Sequence, residues 1–581
     1  MQEHMKLHQV TLALNSSLMS LLLMSHYLDC PIALRKGRRS CTSHPIYNFV
    51  SYKGLSPSFQ TFVANLNKVQ VPNSIQEAIS IPEWKTAVWE EMQALKKNGT
   101  WEISDLPSGK HPVGCKWIFT VKYKADGSVD RFKARLVAKW FTQSYGIDYQ
   151  ETFAPVAKLN TIRVLLSLAA NLDWPLHQLD VKNAFLNGDL TEEVYMDIPP
   201  GFETKATMNK VCKLKKSLYG LKQSPRAWFD RFNKTVKKYG YSQCQADHTL
   251  FIKHSTKGKL AILIVYVDDI ILTGDYEDEL IKLKTLLAKE FETKDLGSLK
   301  YFLGMEVARS RKGISVSQWK YVLDLLKETG MLGCKPAETP MDSSTKLGAN
   351  KDSVPVDKGK YQRLVGKLIY LSHTRPDIGF SVSVVSQFMN DPTEEHMEAV
   401  NRILRYLKMT PGKGLYFRKN TRKDIEVFVD ADWAGSITDR RSTSGYCTYV
   451  WGNLVTWRSK KQPVVSWSSA EAEFRAMALR ICEGIWLERL MRELGILTSE
   501  PMKVFCDNQS AINIAKNPVH HNRTKHVEID RHFIKEKIEN GTVSLLYTPT
   551  SQQIADILTK ALPRKNFEDL STKLGLINIY A

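Results

Sequence analysis

Carboxylates interrupt or end apolar segments of this chain in two groups, and acids so placed are candidates for chemistry. The stretch LAILIVYVDDIILTG, Leu260 to Gly274, drops Asp268 and Asp269 into what otherwise reads as buried strand. A buried carboxylate costs several kcal/mol of desolvation unless something pairs with it. Two adjacent ones also repel, by about 4 kcal/mol at ~4 Å and an effective dielectric of about 20. Strand, two-residue acidic turn and strand predicts a hairpin with both acids at an exposed tip. Asp180 ends a second strand-like run, WPLHQLD. Brought together, the three acids would suit a pair of divalent cations, Mg²⁺ or Mn²⁺, which favour a few carboxylate oxygens plus substrate phosphates. Such a pair activates an attacking hydroxyl and stabilises a leaving phosphate oxygen. On these residues alone, a turn that merely tolerates two acids stays open.

A second set lies near the C-terminus. Asp430 ends the β-rich EVFVD, and Glu471 and Glu473 open a helix in WSSAEAEF. Asp507 follows the strand-like KVFC, and Asp556 falls on a late helix in QQIADILTK. Converging, these acids would make a second two-cation site, one suited to turning water against a phosphodiester. Acids at strand ends that never meet are the plainer alternative. Ser468 and Ser469 have no histidine at a telling spacing, so no hydrolase triad is read there.

The elements that must position these groups follow from patterning. In IPEWKTAVWEEMQALKKNGTW, Trp84, Val88, Met92 and Leu95 share one helical face, and Asn98-Gly99 stops the helix. From Trp101 to about Asp342, short β-rich and helical segments alternate, predicting a mixed α/β unit. Ser343 to Lys360 is poor in large apolar residues and predicts a linker. Asp391-Pro392-Thr393-Glu394 resembles a capping box with proline at the first helical position, before a stripe of Met397, Val400, Ile403, Leu404 and Leu407. A second β-then-helix unit starts near Asp424.

Composition bounds the partners. The 581 residues allow three or four domains. A net charge of +20 favours a polyanion, with nucleic acid first and an anionic membrane surface second. The 9 cysteines are odd in number and scattered, which speaks for a reduced compartment and against a disulfide framework or zinc site. Leu12 to Leu28 is apolar but broken by Asn15, Ser16, Ser17, Ser20 and His26, and it has no small-residue cleavage site. The expectation is a cytoplasmic protein with access to the nucleus, without a membrane span.

Tyr266-Val267-Asp268-Asp269 resembles the catalytic hairpin of reverse transcriptases. LDVKNAFLNGDL with EEVYMDIPPGF, KARLVAKWFTQSYGIDYQETFAPVAK and SLYGLKQSPRAWF resemble segments of copia-type LTR retrotransposon Pol polyproteins. So do YFLGMEV and RLVGKLIYLSHTRPDI. FVDADWAG, DRRSTSGY, SSAEAEF, CDNQSAI, TKHVEIDRHFI and QQIADILTK are similar to the ribonuclease H domain of the same polyproteins. The resemblance runs from about Ile32 to Leu562. It implies a right-hand polymerase of fingers, palm and thumb followed by a ribonuclease H-like mixed-sheet domain, in an α/β and α+β multidomain chain.

The implied boundaries are a leader at 1–70 holding an integrase-to-polymerase remnant and fingers and palm at 71–342. A linker at 343–360, a helical thumb or connection at 361–423, a ribonuclease H-like domain at 424–562 and a tail at 563–581 follow. The implied partners are RNA and DNA template–primer, RNA/DNA hybrid and deoxynucleoside triphosphates, with two Mg²⁺ per active site.

Residue by residue, the resemblance makes Asp180, Asp268 and Asp269 the palm's metal ligands. It makes Asp430, Glu473, Asp507 and Asp556 those of the nuclease, with Glu473 preferred to Glu471 because an aromatic, Phe474, follows it. Asp432, one strand repeat on, is the weaker candidate. Phe185 stands where a steric gate would crowd a ribose 2′-OH. Lys133 and Arg135 stand where fingers hold a triphosphate, and Gln223, Ser224 and Pro225 under the nascent base pair. Phe302 to Val307 resembles a primer grip. His526 or His532 could assist proton transfer or contact phosphate, but at this spacing a packed helix residue is the plainer reading.

Two departures stand out. Trp140 replaces the glycine of the family pattern, which would strain or block the fingers if that glycine permits a positive φ or a close approach. No zinc-knuckle, aspartic-protease or integrase motif is found, so a truncated element is expected. A descendant that binds nucleic acid without chemistry is the rival reading.

Overall fold

In a computed structural model, residues 71–123, 128–348, 353–496, 500–516 and 528–579 are described. The expected leader at 1–70 and His526 lie outside them. The described residues divide into two compact units, one of 71–91, 117–123 and 128–135, the other of the described residues within 92–116 and 136–579.

Ser74 caps the short helix Ile75–Ser80 by accepting the Glu77 N–H. The helix Pro82–Lys97 follows, and Trp84, 1% exposed, meets Phe119 and Phe132 edge-on at 5.5 and 4.8 Å. Val88 and Leu95 are also buried and Met92 is half-buried, as the periodicity predicts. Gly99 ends the segment at φ +63°, a conformation open to glycine. The strand Val129–Ala138 pairs with Cys115–Tyr123.

The second unit contains an antiparallel six-stranded sheet. Its order is Thr293–Ser298, Leu176–Val181, Asp269–Gly274, Leu260–Tyr266, Leu250–His254 and Ser242–Gln243. Leu260–Tyr266 is apolar at nearly every position because both of its faces are covered. Ile262 and Ile264 join one buried cluster, while Ala261, Leu263 and Val265 join another with Trp228, Phe232, Phe251 and Phe291.

The turn joining Leu260–Tyr266 to Asp269–Gly274 differs from expectation by one residue. Tyr266 pairs with Asp269, so the two-residue turn is Val267-Asp268, and Asp269 is already strand. An Asp268-Asp269 turn would instead pair Val267 with Ile270 and take Asp269 out of the ladder, leaving every side chain on the face it now has.

A second five-stranded sheet runs Asn453–Lys461, Thr443–Val450, Ile425–Asp432, Met502–Cys506, Val543–Tyr547. The first three are antiparallel, and the last two run parallel to Ile425–Asp432 and to each other. This is the mixed sheet expected of the C-terminal unit, and the helix Ser469–Glu493 packs on it.

Between these sheets lies the helix Leu159–Leu172, whose positions Thr161 to Asn171 are all buried. Arg163, Ser167 and Asn171 recur every fourth residue and form a polar stripe on it. Arg163 donates to the carbonyls of Val455 and His373, and its guanidinium lies 4.0 Å from the Trp457 ring centroid. Ser167 donates to the Val450 carbonyl, and Asn171 accepts the Asn420 N–H.

Three further expectations are corrected. Thr393, not Asp391, caps the helix Glu394–Met409, and His396 closes the capping box by accepting the Thr393 N–H at 3.0 Å. Pro392 therefore precedes the helix. The predicted linker ends early, because Asp357 accepts the Lys360 N–H and starts the helix Lys358–Leu371. The expected C-terminal tail is folded. Arg564–Lys573 is a helix, and Leu576–Asn578 pairs with the strand Lys413–Arg418 in a sheet that also contains the hairpin Tyr301–Phe302 and Met305–Ser310. Buried Phe567, Leu570 and Leu576 anchor it.

Candidate active sites

The first carboxylate set is assembled by register. Asp269 lies opposite Asp180 on neighbouring antiparallel strands, and directly opposed residues have Cα atoms about 4.5–5.5 Å apart with side chains on one face. Asp268 stands one residue earlier, exposed at the tip. Partial burial raises the pKa of Asp269, and the charges of Asp268 and Asp180 add to it. The Gln178 amide opposes the rise by donating to Asp269 Oδ1 at 3.0 Å. The tip itself is tied from outside the hairpin. Val181 N–H donates to the Asp268 carbonyl at 2.8 Å, and the Trp228 indole N–H to the Val267 carbonyl at 2.7 Å.

Phe185 is half-buried in the 3₁₀ turn Ala184–Asn187, just past Asp180, and meets Tyr219 edge-on at 5.3 Å. Gly188 closes this turn against the backbone of Ala227 and Trp228, where a Cβ would come within 2.7 Å. A side chain there would push the turn off the helix Ser224–Lys238.

Gln223 is 2% exposed, and its side chain faces inward. Its amide donates to the Asp148 carbonyl at 2.8 Å and accepts from Gln143 at 3.0 Å. Both polar atoms of this side chain hold the loop Gln143–Asp148 in place. Trp140 sits in the 3₁₀ turn Trp140–Thr142 without a positive φ and is 59% exposed. The glycine it replaces is not demanded by backbone conformation, so the expected strain is absent.

Lys133 and Arg135 lie in the first unit, on the strand Val129–Ala138, at alternate positions with Arg131 and so on one face. Burial lowers the Lys133 pKa, and the charges of Arg135 and Arg131 lower it further. Such crowding of cations makes an anion welcome.

The second set is tighter and drier. Asp430, Asp507 and Asp556 each offer an oxygen within 4.8 Å of the others, and Glu473, Cys506 and Asp507 form a neighbouring group. Asp430 is 3% exposed at the end of Ile425–Asp432, and it accepts a hydrogen bond from Thr559 Oγ1. Glu473 accepts the Ala431 N–H at 2.8 Å, and the Cys506 thiol donates to it at 3.7 Å. Burial, and then Asp430, push Glu473 well above the usual carboxylate range, and Asp507 rises for the same two reasons. Burial and Asp430 carry Asp556 up to about 7.

Glu471 points elsewhere, to Arg475 Nε at 2.9 Å and the Trp467 N–H at 2.8 Å. Asp556 sits in a 3₁₀ turn, Ile554–Leu558, rather than an α-helix. His532 is exposed beside Glu528 at 3.9 Å.

Sequence reasoning missed several neighbours. Lys560 places its Nζ 3.0 Å from Asp556 and 3.8 Å from Asp430. Burial opposes its charge, but Asp430 and Asp556 override that and raise its pKa. Thr559 and Lys560 follow Asp556 by three and four residues, the one local signal available. Gln178, Tyr219 and Trp228 act across strands or elements and leave no such trace.

Known proteins are similar to this chain over most of its length. Residues 98–343 match the family described as reverse transcriptase (RNA-dependent DNA polymerase). The retrovirus-related Pol polyprotein from transposon RE1 of Arabidopsis thaliana is 43% identical over 509 residues, 87% of this chain and 35% of that protein. A putative transposon Ty5-1 protein of Saccharomyces cerevisiae is 35% identical over 300 residues, 51% of this chain and 97% of that one. Among solved structures, the prototype foamy virus protease–reverse transcriptase covers 88% of the chain at 12% identity and a TM-score of 0.21. The chain spans about a third of the length of the Arabidopsis polyprotein. Among the described residues, no helix is long and apolar enough to cross a membrane.

Proposed function

The chain belongs to the Pol polyprotein family of copia-type LTR retrotransposons and carries its reverse transcriptase domain. From that premise we propose that it extends a DNA primer on an RNA or DNA template and cuts the RNA strand of the hybrid. The register of Asp269 against Asp180 supports the first activity most directly, because it puts both carboxylates on one face beside the exposed Asp268. The cluster of Asp430, Asp507 and Asp556, with Glu473 beside it, supports the second.

The donors fit hard divalent cations. Carboxylate oxygens dominate both sets, as Mg²⁺ or Mn²⁺ prefers. Asp180, Asp268 and Asp269 would hold them at one site and Asp430, Glu473, Asp507 and Asp556 at the other. Bound there, the cations supply activation of the attacking oxygen and stabilisation of the leaving one.

The remaining residues bind and orient. Phe185, braced by Tyr219, crowds a 2′-OH and so favours deoxynucleotides. Arg131, Lys133 and Arg135 present one cationic face to a triphosphate. Gln223 and Gln143 fix the loop beside the helix Ser224–Lys238, so the surface under a nascent base pair stays rigid. The +20 charge grips phosphates without reading sequence, and binding weakens steeply with salt.

The test is primer extension on an RNA template with Mg²⁺ and deoxynucleotides, beside cleavage of a labelled RNA/DNA hybrid. Extension should vanish in Asp268→Asn/Asp269→Asn and cleavage in Asp430→Asn, each leaving the other activity in place. Wild-type protein that binds primer–template but neither extends nor cuts would establish the non-catalytic descendant instead.

A further inference from the structure

Val267 has φ +57°. For a β-branched residue this left-handed backbone is a genuine outlier, and it falls between Tyr266 and the acids of the hairpin tip. Strain of this kind persists only where surroundings over-determine it. Here the determinant is visible. The Val267 carbonyl accepts from the indole N–H of Trp228 at 2.7 Å, while the next carbonyl, of Asp268, accepts from Val181 N–H at 2.8 Å. The first of these donors is a side chain, and it can be removed by substitution.

Trp228 is well placed to hold such a turn. It is 2% exposed and wedged against Phe291 at 5.1 Å and Phe232 at 5.4 Å, so its ring cannot follow the hairpin if the hairpin moves. It also lies on the helix Ser224–Lys238, against whose backbone at Ala227 and Trp228 Gly188 of the Phe185 turn packs. One side chain thus joins the hairpin tip to the element beside the proposed nucleotide gate.

We propose that Trp228 is a positioning residue for polymerisation, whose N–H holds the Val267 peptide in its left-handed state and thereby aims Asp268 and Asp269. This rests on the polymerase reading above, and the test separates the two. Trp228→Phe keeps the ring and removes the donor. Asparagine at 267 occupies left-handed backbone far more readily than valine, so Val267→Asn in the Trp228→Phe background lifts the strain without restoring the bond.

Hydrogen exchange over residues 260–274 is measured beside primer extension and primer–template affinity. In Trp228→Phe, exchange at the tip should quicken about tenfold, as expected for loss of one well-made hydrogen bond. The kcat should fall about tenfold, with KM for deoxynucleotide and affinity for primer–template within about twofold. The double variant should recover most of both losses. Unchanged exchange in Trp228→Phe overturns the proposal. So does a loss that Val267→Asn does not repair, since a purely packing role would be indifferent to strain at 267. If the wild type does not extend primers, the polymerase reading falls while the exchange measurements still decide the role of Trp228.

Discussion

The two carboxylate sites are built on opposite principles. At Asp180, Asp268 and Asp269 the acids sit around an exposed tip, and order comes from backbone: strand register, a strained turn and two hydrogen-bonded carbonyls. At Asp430, Glu473 and Asp556 the acids are drawn into the interior, with Asp507 half-buried beside them, and order comes from side chains. Thr559, Thr550, Cys506 and above all Lys560 hold them there. An open site can leave its charges to water. A buried one must carry a cation of its own, because charges left unpaired in a low dielectric are prohibitive. Burial first, and the charge of Asp430 second, raise the carboxylate pKa values there, with Asp556 up to about 7.

The sharpest way to break this contrast is to exchange acids for amides. Asp269→Asn should cost at least about a thousandfold in extension, roughly 4 kcal/mol at 1.36 kcal/mol per tenfold, with hybrid cleavage unchanged. A comparable loss in both assays would mean that the sites are not independent.

Gln178→Leu should be gentler. It removes the amide that opposes the rise in the Asp269 pKa, so the acid limb of the extension rate moves to higher pH. Activity at pH 7 should fall about ten- to a hundredfold, the range for loss of a group that supports a metal ligand. An unmoved acid limb in a pH–rate profile would show that the tip is governed by solvent alone.

Lys560→Gln addresses the dry site. Removing a cation beside Asp430 and Asp556 should tighten Mn²⁺ binding several-fold, by about the charge effect of one near neighbour. Calorimetric titration in an Asp268→Asn/Asp269→Asn background reads this site alone. Weaker binding would recast Lys560 as a scaffold for the ligands.

The smallest effect is on stability without divalent cations. Asp556 and Glu473 have folded pKa values raised above their unfolded ones, so between those values the folded state binds more protons. Stability then falls as pH rises toward about 7 and above, the reverse of the usual carboxylate behaviour. Asp556→Asn should flatten that fall by a few degrees in Tm between pH 5 and 8, read by calorimetry in EDTA; a steeper fall would contradict the assignment.

Both sites were legible as acids that interrupt apolar runs, because the cost of burying a charge leaves a mark in one dimension. The exact turn was not. Val267-Asp268 and Asp268-Asp269 both satisfy a two-residue hairpin and put the same side chains on the same faces, so only the pairing of Tyr266 with Asp269 separates them. Trp228, Gln178 and Tyr219 were invisible for another reason. Each acts on residues 34 to 91 positions away, where local patterning says nothing. The strand Leu576–Asn578 escaped because three residues carry no periodicity. Gln223 was read by likeness to a motif, and its bonds to Gln143 and Asp148, 80 and 75 positions away, left no local trace.

The polar stripe of Arg163, Ser167 and Asn171 has a consequence for timing. By stitching the helix Leu159–Leu172 to Val455, Val450 and Asn420, it couples the sheet that carries one site to the sheet that carries the other. On the reading proposed above, a hybrid leaving the first site reaches the second after a set length, so cutting trails copying by a constant number of nucleotides. RNA fragments resolved during ongoing synthesis would form a narrow band in register with the primer end. Arg163→Met, by loosening the stitch, would smear that band while leaving each site competent: the helix works as a gauge.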